Sequence, residues 1–419
     1  MQLTRARLRR FLRAGVGAMG LFFSRETRAQ VAELDTSQTL YHEAPFRSKM
    51  TVYSPATSLR VSPSEWLDVR AGWEADVVSG ASVAVKAGPS YQATHPGADV
   101  VTAASVHDFR NVASGGFTLK KDAVQLASGY SYSVENDYKS HNVNIGAKTE
   151  LFEHNTQLEI NYARNFDKVC DRVQAANDAP ARFRALEDSD GCFASSVTRS
   201  RHSIGVDSFQ GSWSQAWTPV FTTQLVYTAQ ITNGFQSNPY RSVILAEGLK
   251  AQEHEPDNRA RQSVALRGNY FIRPWRAALR MGIRGYYDTW GIKSGTADLE
   301  FEKYFGEAFR LQGRGRIYRQ NGAVFWSDDY TGGDRPLGPR GQYWTGDREL
   351  SPMTSALVGI KAAYAVSPAK GRILGLMTNL KFSASADMIQ FNYDEYTLGG
   401  ATISSARAFI FGLSLSAIF

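Results

Sequence analysis

The last eleven residues of the chain decide its fold. Residues 409–419 read FIFGLSLSAIF, with Phe, Phe, Leu, Leu, Ala and Phe at the odd positions, whereas the even positions include Gly412, Ser414 and Ser416. Successive side chains of a β-strand point to opposite faces, while a helix repeats every 3.6 residues. A period of two over ten residues therefore predicts a strand with one apolar face and one small, polar face.

The same alternation recurs through most of the chain. In one segment, for example, Leu279, Met281 and Ile283 alternate with Arg280. Most segments run 12 to 16 residues, which is longer than the strands of soluble sheets and enough to cross a bilayer at a tilt. Strands are predicted at about 66–78, 105–120, 122–135, 139–150, 154–166, 200–217, 220–233, 260–273, 275–288, 292–304, 309–320, 353–366, 374–388 and 409–419.

The connections between these segments alternate between short turns and longer, polar loops. Short turns on one rim and long loops on the other are typical of bacterial outer-membrane β-barrels, in which ring closure pairs the backbone groups without leaving an edge strand. The sequence thus predicts an all-β fold, a transmembrane antiparallel up-and-down β-barrel. Its long external loops are expected at 79–104, 167–199, 234–259 and 321–352.

The strand number depends on the region before residue 66. Fourteen strong segments end with the C-terminal one, and 46–60 is a weaker candidate because Pro55 interrupts it. Single-chain bacterial barrels have even strand numbers, so either 46–60 does not span or a short strand near Thr36–Ala44 adds another. We predict about 16 strands, with 14 as the alternative. Either number is wide enough for an aqueous lumen unless side chains or loops fill it.

Residues 1–29 have the pattern of a secretory signal peptide. The cationic Arg5–Arg13 precedes the apolar stretch Ala14–Phe23, which is too short to span a membrane, and cleavage is expected before Gln30. Without residues 1–29 the chain keeps 40 basic and 39 acidic residues, so its formal charge of +7 does not indicate a nucleic-acid partner. We expect an N-terminal periplasmic segment or short first strand at 30–45 and the barrel at 46–419.

Aromatic residues cluster near both ends of the predicted strands, as the two interfacial girdles of a membrane barrel require. One group lies near the short turns and consists of Trp66, Trp213, Trp217, Trp275, Tyr304 and Phe305. The group predicted at the other rim consists of Tyr138, Tyr240, Tyr286, Tyr287 and Trp290.

Inward-facing charges of three consecutive strands form a predicted lumen charge ladder. Consecutive strands of a barrel are neighbours, and residues opposite each other lie about 5 Å apart, so opposite charges can pair. The ladder is either a salt-bridged polar wall or an ion-selecting field along a pore. Its balanced charges favour the wall, and both interpretations stay open. The ladder consists of Arg280 and Arg284, then Asp298, Glu300 and Glu302, then Arg310, Arg314 and Arg316.

The two cysteines of the chain, Cys170 and Cys192, lie in one long predicted loop. The bacterial envelope permits disulfides, and a bridge closing about 23 residues is worth about 3 kcal/mol of chain entropy. A loop disulfide is the favoured interpretation, with two free thiols as the alternative.

Candidate catalytic residues are few. A lipid hydrolase needs a Ser/His pair on the lipid-facing side, but His202 and Ser203 are neighbours and neighbours in a strand point to opposite faces. His141 is the other candidate, and a rim or loop histidine is the favoured interpretation, so no enzyme activity is predicted. The acidic stretch 328–334 indicates a flexible loop rather than a calcium site. There is no Cys-x-x-Cys-His haem motif and no phosphate loop, and no cofactor is predicted.

Six strings near the loop-side ends of predicted strands occur in a characteristic order, namely Asp76–Ser82, Glu135–Tyr138, Gly234–Arg241, Tyr286–Gly291, Tyr318–Gln320 and Phe325–Tyr330. In this order and spacing the chain resembles the bacterial family catalogued as domain of unknown function 3570, over nearly all of the mature sequence. The resemblance implies an outer-membrane β-barrel with a signal peptide. It also implies a link to envelope redox or metal physiology, because some members are encoded near flavin-transferring and thioredoxin-like proteins. The family supplies no catalytic residues. The residues of these strings either form part of the aromatic girdle and anchor the loops, or form a composite surface site for a ligand or partner.

The predicted function is a porin-like channel or the barrel part of an envelope transport or redox complex. The alternatives are a non-conducting structural or partner-binding barrel with a salt-bridged lumen, and an outer-membrane lipid hydrolase. Expected partners are outer-membrane lipid, an envelope redox or lipoprotein partner, and the barrel-assembly machinery. For that machinery Phe419 is the terminal aromatic assembly signal in proteins this chain resembles.

Overall fold

The computed structural model of the protein is a closed antiparallel β-barrel of sixteen strands. It describes residues 31–44, 50–80, 108–135, 137–170, 201–238, 242–244, 250–327, 342–368, 371–398, 401–402 and 404–419. The predicted signal peptide, residues 1–29, lies outside these ranges. In the described part of the chain, no helix combines the length and the hydropathy needed to cross a membrane.

The described ranges contain twenty strands, and sixteen of them form the barrel wall. The first nine are β1 Val31–Ala44, β2 Met50–Ser64, β3 Leu67–Gly80, β4 Asp108–Lys121, β5 Val124–Val134, β6 Tyr138–Leu151, β7 Thr156–Cys170, β8 Arg201–Thr218 and β9 Phe221–Gly234. The remaining wall strands are β12 Asn258–Ile272, β13 Ala277–Asp288, β14 Lys293–Phe305, β15 Phe309–Gln320, β16 Met353–Val366, β17 Asn379–Tyr393 and β20 Ser405–Ile418.

Four short strands form two hairpins outside the wall. They are β10 Ser242–Ile244 with β11 Lys250–Gln252, and β18 Thr397–Leu398 with β19 Ala401–Thr402. Two single-turn 3₁₀ helices, Arg273–Trp275 and Arg348–Leu350, complete the secondary structure of the described residues.

The barrel closes between the first and last strands. Strand β1 pairs with β20 over twelve residues, from Glu33 opposite Ile418 to Ala44 opposite Arg407. At the end of this seam the backbone N–H of Phe419 donates to the carbonyl of Ala32 at 2.9 Å. The ring therefore has no edge strand, which is the condition for a β-structure inside hydrocarbon.

The strand count of 16 is confirmed, and the first two strands are longer than the sequence predicts. Strand β1 spans fourteen residues rather than a short stretch near Thr36–Ala44, so the barrel begins at Val31 and not near residue 46. The weak candidate at 46–60 is a full strand of fifteen residues, and Pro55 sits within its pairing with β1, opposite Gln38. Proline removes one backbone donor from a ladder, and here the long pairings on both sides outweigh that loss.

The outer surface of the barrel is apolar, as an alternating strand pattern requires. Large hydrophobic side chains such as Ile160, Ile283 and Leu413 are more than 60% exposed, which in a soluble protein would be a costly exposed patch. The buried apolar cluster lies instead near the loop rim, where Trp290, Phe325 and other residues of the connections 289–292 and 321–352 pack together. The midsection of the lumen is thus polar, and the apolar core belongs to the loops.

Candidate functional site

The lumen charge ladder forms ion pairs along the barrel wall. Arg280 on β13 contacts Glu302 on β14 at 2.7 Å and Glu300 at 3.5 Å, because Arg280 and Glu300 stand directly opposite in register. Arg310 lies 3.9 Å from Glu302, and Arg316 forms an ion pair with Asp298. These pairs join adjacent strands, so the side chains line the wall instead of meeting across the lumen.

Arg314 pairs with a more distant acidic residue, Asp387, which was not among the predicted ladder residues. Its Nε and Nη2 donate to the two carboxylate oxygens of Asp387, both at 2.6 Å, across the intervening strand β16. Gly359 lies between them in register, and a Cβ there would stand 1.7 Å from Asp387 Oδ1 and 3.2 Å from Arg314 Nε. The absence of a side chain at Gly359 is therefore what allows the pair to form.

Three predicted residues stand apart from these pairs. Arg284 makes no ion pair with any described residue. Cys170, at the end of β7, is disulfide-bonded and 1% exposed; Cys192, the only other cysteine in the sequence, lies outside the described residues. Phe419 lies at the turn-side end of the closing seam.

The segment 342–350, between β15 and β16, crosses the loop-side mouth of the barrel. On one side Arg348 forms a buried bidentate ion pair with Glu43 of β1, in which Nη2 donates to Oε2 at 2.9 Å. On the other side His254 and Trp344 exchange two backbone hydrogen bonds of 3.0 and 2.9 Å. Since β1 and the β9–β12 connection lie on opposite sides of a sixteen-strand ring, the segment joins elements from opposite sides of the mouth.

Glu43 and Arg348 anchor this segment through a buried ion pair. Glu43 is 1% exposed and also accepts a hydrogen bond of 3.0 Å from the hydroxyl of Tyr41. Burial acts to lower the pKa of Arg348, but hydrogen bonds to Glu43 and the nearby negative charge outweigh it, so the pKa is raised. The guanidinium therefore stays charged, and loss of either partner would leave a buried unpaired group.

A cavity of about 670 Å³ lies beside the segment, against the inward ends of β6–β9 and β12; we call it the vestibule. Parts of three strings quoted for the family resemblance converge on it, because Tyr138, Phe235 and Trp290 all line its wall. Its lining also holds two guanidiniums, of Arg259 and Arg261. Six acidic residues also line it, namely Glu135, Asp137, Asp167, Glu255, Asp347 and Glu349.

The two vestibule arginines are held by the wall. Arg259 pairs with the fully buried Asp288, with Nε 2.9 Å from Oδ2, and its guanidinium lies 4.0 Å from the ring centre of Trp290. Arg261 donates to Gln230 and Thr232, both at 2.9 Å. The Arg259 guanidinium is therefore neutralised by Asp288 within the wall.

Asp167 is the vestibule acid with the most unusual surroundings. Asp167 is 3% exposed, and its Oδ2 accepts a hydrogen bond of 2.5 Å from the hydroxyl of Tyr138. Its Oδ1 is buried and has no hydrogen-bond partner among the described residues. A buried carboxylate oxygen without a partner is costly unless a ligand or ion satisfies it. Sequence reasoning missed Asp167, although it occupies an inward position of β7.

Gly234 directs the chain into the vestibule at the end of β9. Its φ of +115° is in the region that favours glycine, and a Cβ would lie 2.0 Å from the carbonyl oxygen of Ser203. The close approach allows Phe235 to turn inward, where its ring stacks on that of His202 at 4.4 Å.

Several aromatic residues predicted for the loop-side girdle face the lumen instead. Tyr138 bonds to Asp167, Tyr286 donates to Asp288 at 2.7 Å, and Trp290 is 4% exposed in the loop cluster. Tyr287 does face outward, and Tyr240 lies outside the described residues. On the turn side, Tyr304 points inward beneath the guanidinium of Arg310, while the rest are exposed outward, namely Trp66, Trp213, Trp217, Trp275 and Phe305.

The residues considered for hydrolysis do not form a catalytic group in the described structure. His202 faces inward against Phe235, whereas Ser203 occupies an outward position. His141 faces outward, with Nδ1 2.7 Å from the hydroxyl of Tyr130 and its ring packed near Tyr132. The acidic stretch 328–334 lies outside the described residues.

Comparisons with known proteins agree with this architecture. The chain is similar to a solved structure titled bacterial polysaccharide outer membrane secretin, with 10% identity, a TM-score of 0.50, and coverage of 93% of this chain and 99% of that one. It is also similar to OccD3 (OpdP) of Pseudomonas aeruginosa, with 9% identity, a TM-score of 0.42, and coverage of 93% and 90%. At 10% identity the likeness to the secretin structure shows the fold alone.

Sequence comparison is informative at the level of the family. A search of curated proteins finds no match. The family model described as protein of unknown function (DUF3570) matches residues 22–388, which is most of the chain and nearly the whole barrel. The protein is an outer-membrane-type β-barrel that belongs to the DUF3570 family.

Proposed function

We propose that the protein is a porin-like outer-membrane channel that passes small polar solutes and prefers cations. The observation that carries the proposal is the direction of the lumen charges, because the ladder side chains pair with neighbours along one wall and not with the opposite wall. Arg280, Arg310 and Arg316 all bond to an adjacent strand. A barrel of sixteen strands is wide enough for an aqueous path when its side chains do not fill it.

The preference for cations comes from the vestibule. Six acidic residues and two arginines line it, and one of the arginines, Arg259, is neutralised by Asp288. Rings of charge select ions by sign because they raise the local concentration of the counter-ion. The paired charges of the ladder below contribute little net field, so selectivity is set at the mouth.

Planar-bilayer recording tests the proposal directly. Purified full-length protein should give stepwise openings. In a KCl gradient, the sign of the reversal potential should indicate that K⁺ permeates more readily than Cl⁻. Asp167→Asn combined with Asp347→Asn should lower this preference, because two of the six vestibule carboxylates lose their charge. Asp76→Asn is the matched control: Asp76 faces the lumen on β3, bound to Arg110 at 3.0 Å, and its loss should leave the selectivity near that of wild type. Preference for Cl⁻ would contradict the proposal.

A second candidate function is a non-conducting barrel that docks an envelope redox or lipoprotein partner. It is favoured by the segment 342–350, which is anchored on both sides of the mouth by Arg348–Glu43 and His254–Trp344. The same recording separates the two: silence at all voltages from correctly folded protein supports a closed scaffold and rejects the channel.

A further inference from the structure

A groove of about 580 Å³ lies on the outer surface of the barrel, across strands β12 to β15. At its centre are Gly285 and Gly295, which occupy outward positions directly opposite each other on β13 and β14. A Cβ at either position would meet nothing within 4 Å, so the missing side chains leave a depression in the wall. The sides of the groove are aliphatic and belong to the outward-facing residues Val264, Leu266, Ile283, Ala297 and Ile317.

Two cationic residues stand at the loop-side end of this groove. Arg319 of β15 lies directly opposite Gly295, and Lys293 occupies the next outward position of β14 toward the loops. Both residues are exposed. Diagonal neighbours of this kind are about 7–8 Å apart in a sheet, so the guanidinium and the ammonium group can both reach an anion that lies between them.

The protein supplies no counter-charge to these two residues. Within the ranges that the structure describes, the side chains of Lys293 and Arg319 form neither an ion pair nor a hydrogen bond. Arg164, on the outward face of β7, is by contrast bound to Asp207 at 2.9 Å. Side chains alternate between the two faces of a strand, and this alternation directs every acid of β12 to β15 into the lumen, namely Asp288, Asp298, Glu300 and Glu302.

The exterior becomes fully apolar from the two cations toward the middle of the barrel. Tyr287 lies opposite Lys293 in register, and its ring faces outward beside the ammonium group. Next come the aliphatic sides of the groove, and beyond them Met281 and Leu299 continue the exposed apolar surface. Charge with an aromatic ring, followed by aliphatic side chains, is the order in which a lipid presents its headgroup, interface and acyl chains.

The position of the two cations along the wall matches the surface of a membrane. Lys293 and Phe305 are the first and last residues of β14, and a strand of this length spans about 40 Å at 3.4 Å per residue. At a strand tilt of about 40° this corresponds to roughly 30 Å along the membrane normal, which is the thickness of the hydrocarbon core. Phe305 belongs to the exposed aromatic residues of the turn-side rim. When these residues lie at one interface, Lys293 and Arg319 lie at headgroup level at the other.

We propose that the outward groove of β12 to β15 binds a phosphorylated lipid of the outer leaflet. The ammonium group of Lys293 and the guanidinium of Arg319 hold the phosphate, and an acyl chain lies in the groove over Gly285 and Gly295. The groove favours a lipid over free phosphate, because free phosphate would use none of its aliphatic surface. This site is on the outside of the barrel and does not depend on whether the lumen conducts.

Lipid retention by the purified full-length protein tests the site. Protein in a neutral detergent is titrated with diphosphorylated lipid A, with its dephosphorylated form, and with inorganic phosphate, and bound lipid is counted by native mass spectrometry. We expect the diphosphorylated form to bind at least about tenfold more tightly than the dephosphorylated form, since two basic side chains contact its phosphate. Inorganic phosphate at the same phosphate concentration should not displace it.

Charge variants locate the phosphate on this face. Lys293→Gln combined with Arg319→Gln should weaken binding of diphosphorylated lipid A by about tenfold or more. Lys121→Gln combined with Arg372→Gln is the matched control, because it removes one lysine and one arginine at the turn-side rim, at the end of β4 and in the turn before β17. The control should bind the lipid as wild type does.

Glycine variants separate the groove from the charges. Gly285→Val combined with Gly295→Val fills the groove and keeps both cations, and valine suits a strand. Gly115→Val combined with Gly211→Val is the control, because these glycines occupy outward positions of β4 and β8 where a Cβ meets no closer contact than 3.8 Å. We expect several-fold weaker binding of diphosphorylated lipid A in the first pair only.

The proposal is overturned by equal affinity for the two lipid forms or by displacement of the lipid by free phosphate. It is also overturned when the charge variant loses no more affinity than its control, or when the filled groove binds the lipid as well as wild type. The lipid comparison on wild-type protein decides the question even if a double variant fails to fold.

Discussion

Single side chains, or their absence, decide how charge is accommodated inside the barrel. Asp387 is 4% exposed, and its ion pair with Arg314 passes over a position where a Cβ has no room. The Arg314–Asp387 pair thus needs Gly359 as much as it needs the two charges. A single glycine in a strand does not indicate such a role in the sequence.

Gly359→Ala should break or distort the Arg314–Asp387 pair. Removing a partner from a buried pair costs about 3–5 kcal/mol, and we expect about 2 kcal/mol here because Arg314 is partly exposed to the lumen. Unfolding in detergent, followed by the heat-dependent shift on a gel, measures this loss. Gly313→Ala is the control, since a Cβ at Gly313 meets nothing within 4 Å. Equal stability of both variants would show that the pair tolerates a side chain between its partners.

Cys170 provides a second test confined to one bond. Because Cys170 is disulfide-bonded and the chain has only one other cysteine, unreduced protein in denaturant should react with no maleimide, and reduced protein with two. Cys170→Ser should expose one thiol without reduction. Two reactive thiols in unreduced protein purified from the envelope would contradict a stable bridge.

Among the elements, the segment 342–350 has the most influence on the path through the barrel. It is a loop with one turn of 3₁₀ helix, in which Asp347 caps the turn by accepting from the backbone N–H of Glu349 at 3.0 Å. Its position is fixed by contacts at its two ends rather than by its own secondary structure. The stability of these end contacts therefore determines how far the segment obstructs the mouth.

Glu43→Gln should release the Arg348 end of the segment. An unpaired buried guanidinium costs about 3 kcal/mol, which favours the displaced segment by more than a hundredfold. In bilayer recordings we expect a larger and noisier conductance than that of wild type. Glu33→Gln serves as the control, because Glu33 lies on the same strand but at its other end, where it forms a partly exposed ion pair of 3.8 Å with Arg60. Unchanged conductance in Glu43→Gln would mean that the segment does not limit the path.

The whole molecule depends on the ring being closed. The seam between β1 and β20 joins residues almost the full chain length apart. Contacts between distant residues are slow to form, so the end of the seam is sensitive to how the last residue is engaged.

Deleting Phe419 should lower the yield of folded barrel in the outer-membrane fraction. The deletion removes both the proposed assembly signal and the hydrogen bond from its N–H to Ala32. Phe305→Ala removes an exposed aromatic side chain at the same rim and should have a smaller effect. The measurement is the folded fraction on an unheated gel after expression of the full-length chain. Equal yields for the deletion and wild type would remove Phe419 from the assembly step.

The sequence by itself determined that the chain forms an outer-membrane-type barrel of about 16 strands. The alternation of apolar and polar residues is a local property, visible in stretches such as Phe409–Phe419. It assigns each side chain to the membrane or to the lumen. The ladder pairs Arg280–Glu300 and Asp298–Arg316 also follow locally, because neighbouring strands fix which residues stand opposite.

Only the tertiary structure decided which charges meet at a distance and what occupies the mouth. Arg314 pairs with Asp387 two strands away, and Arg348 with Glu43 from the far end of the chain. Tyr138 and Trp290 have the composition of a girdle but turn inward, because the loops fold into the lumen and offer them buried partners. The alternation of side chains predicts whether a residue faces the membrane or the lumen. Residues that are far apart in the sequence come together only when the barrel closes and the loops fold into its mouth.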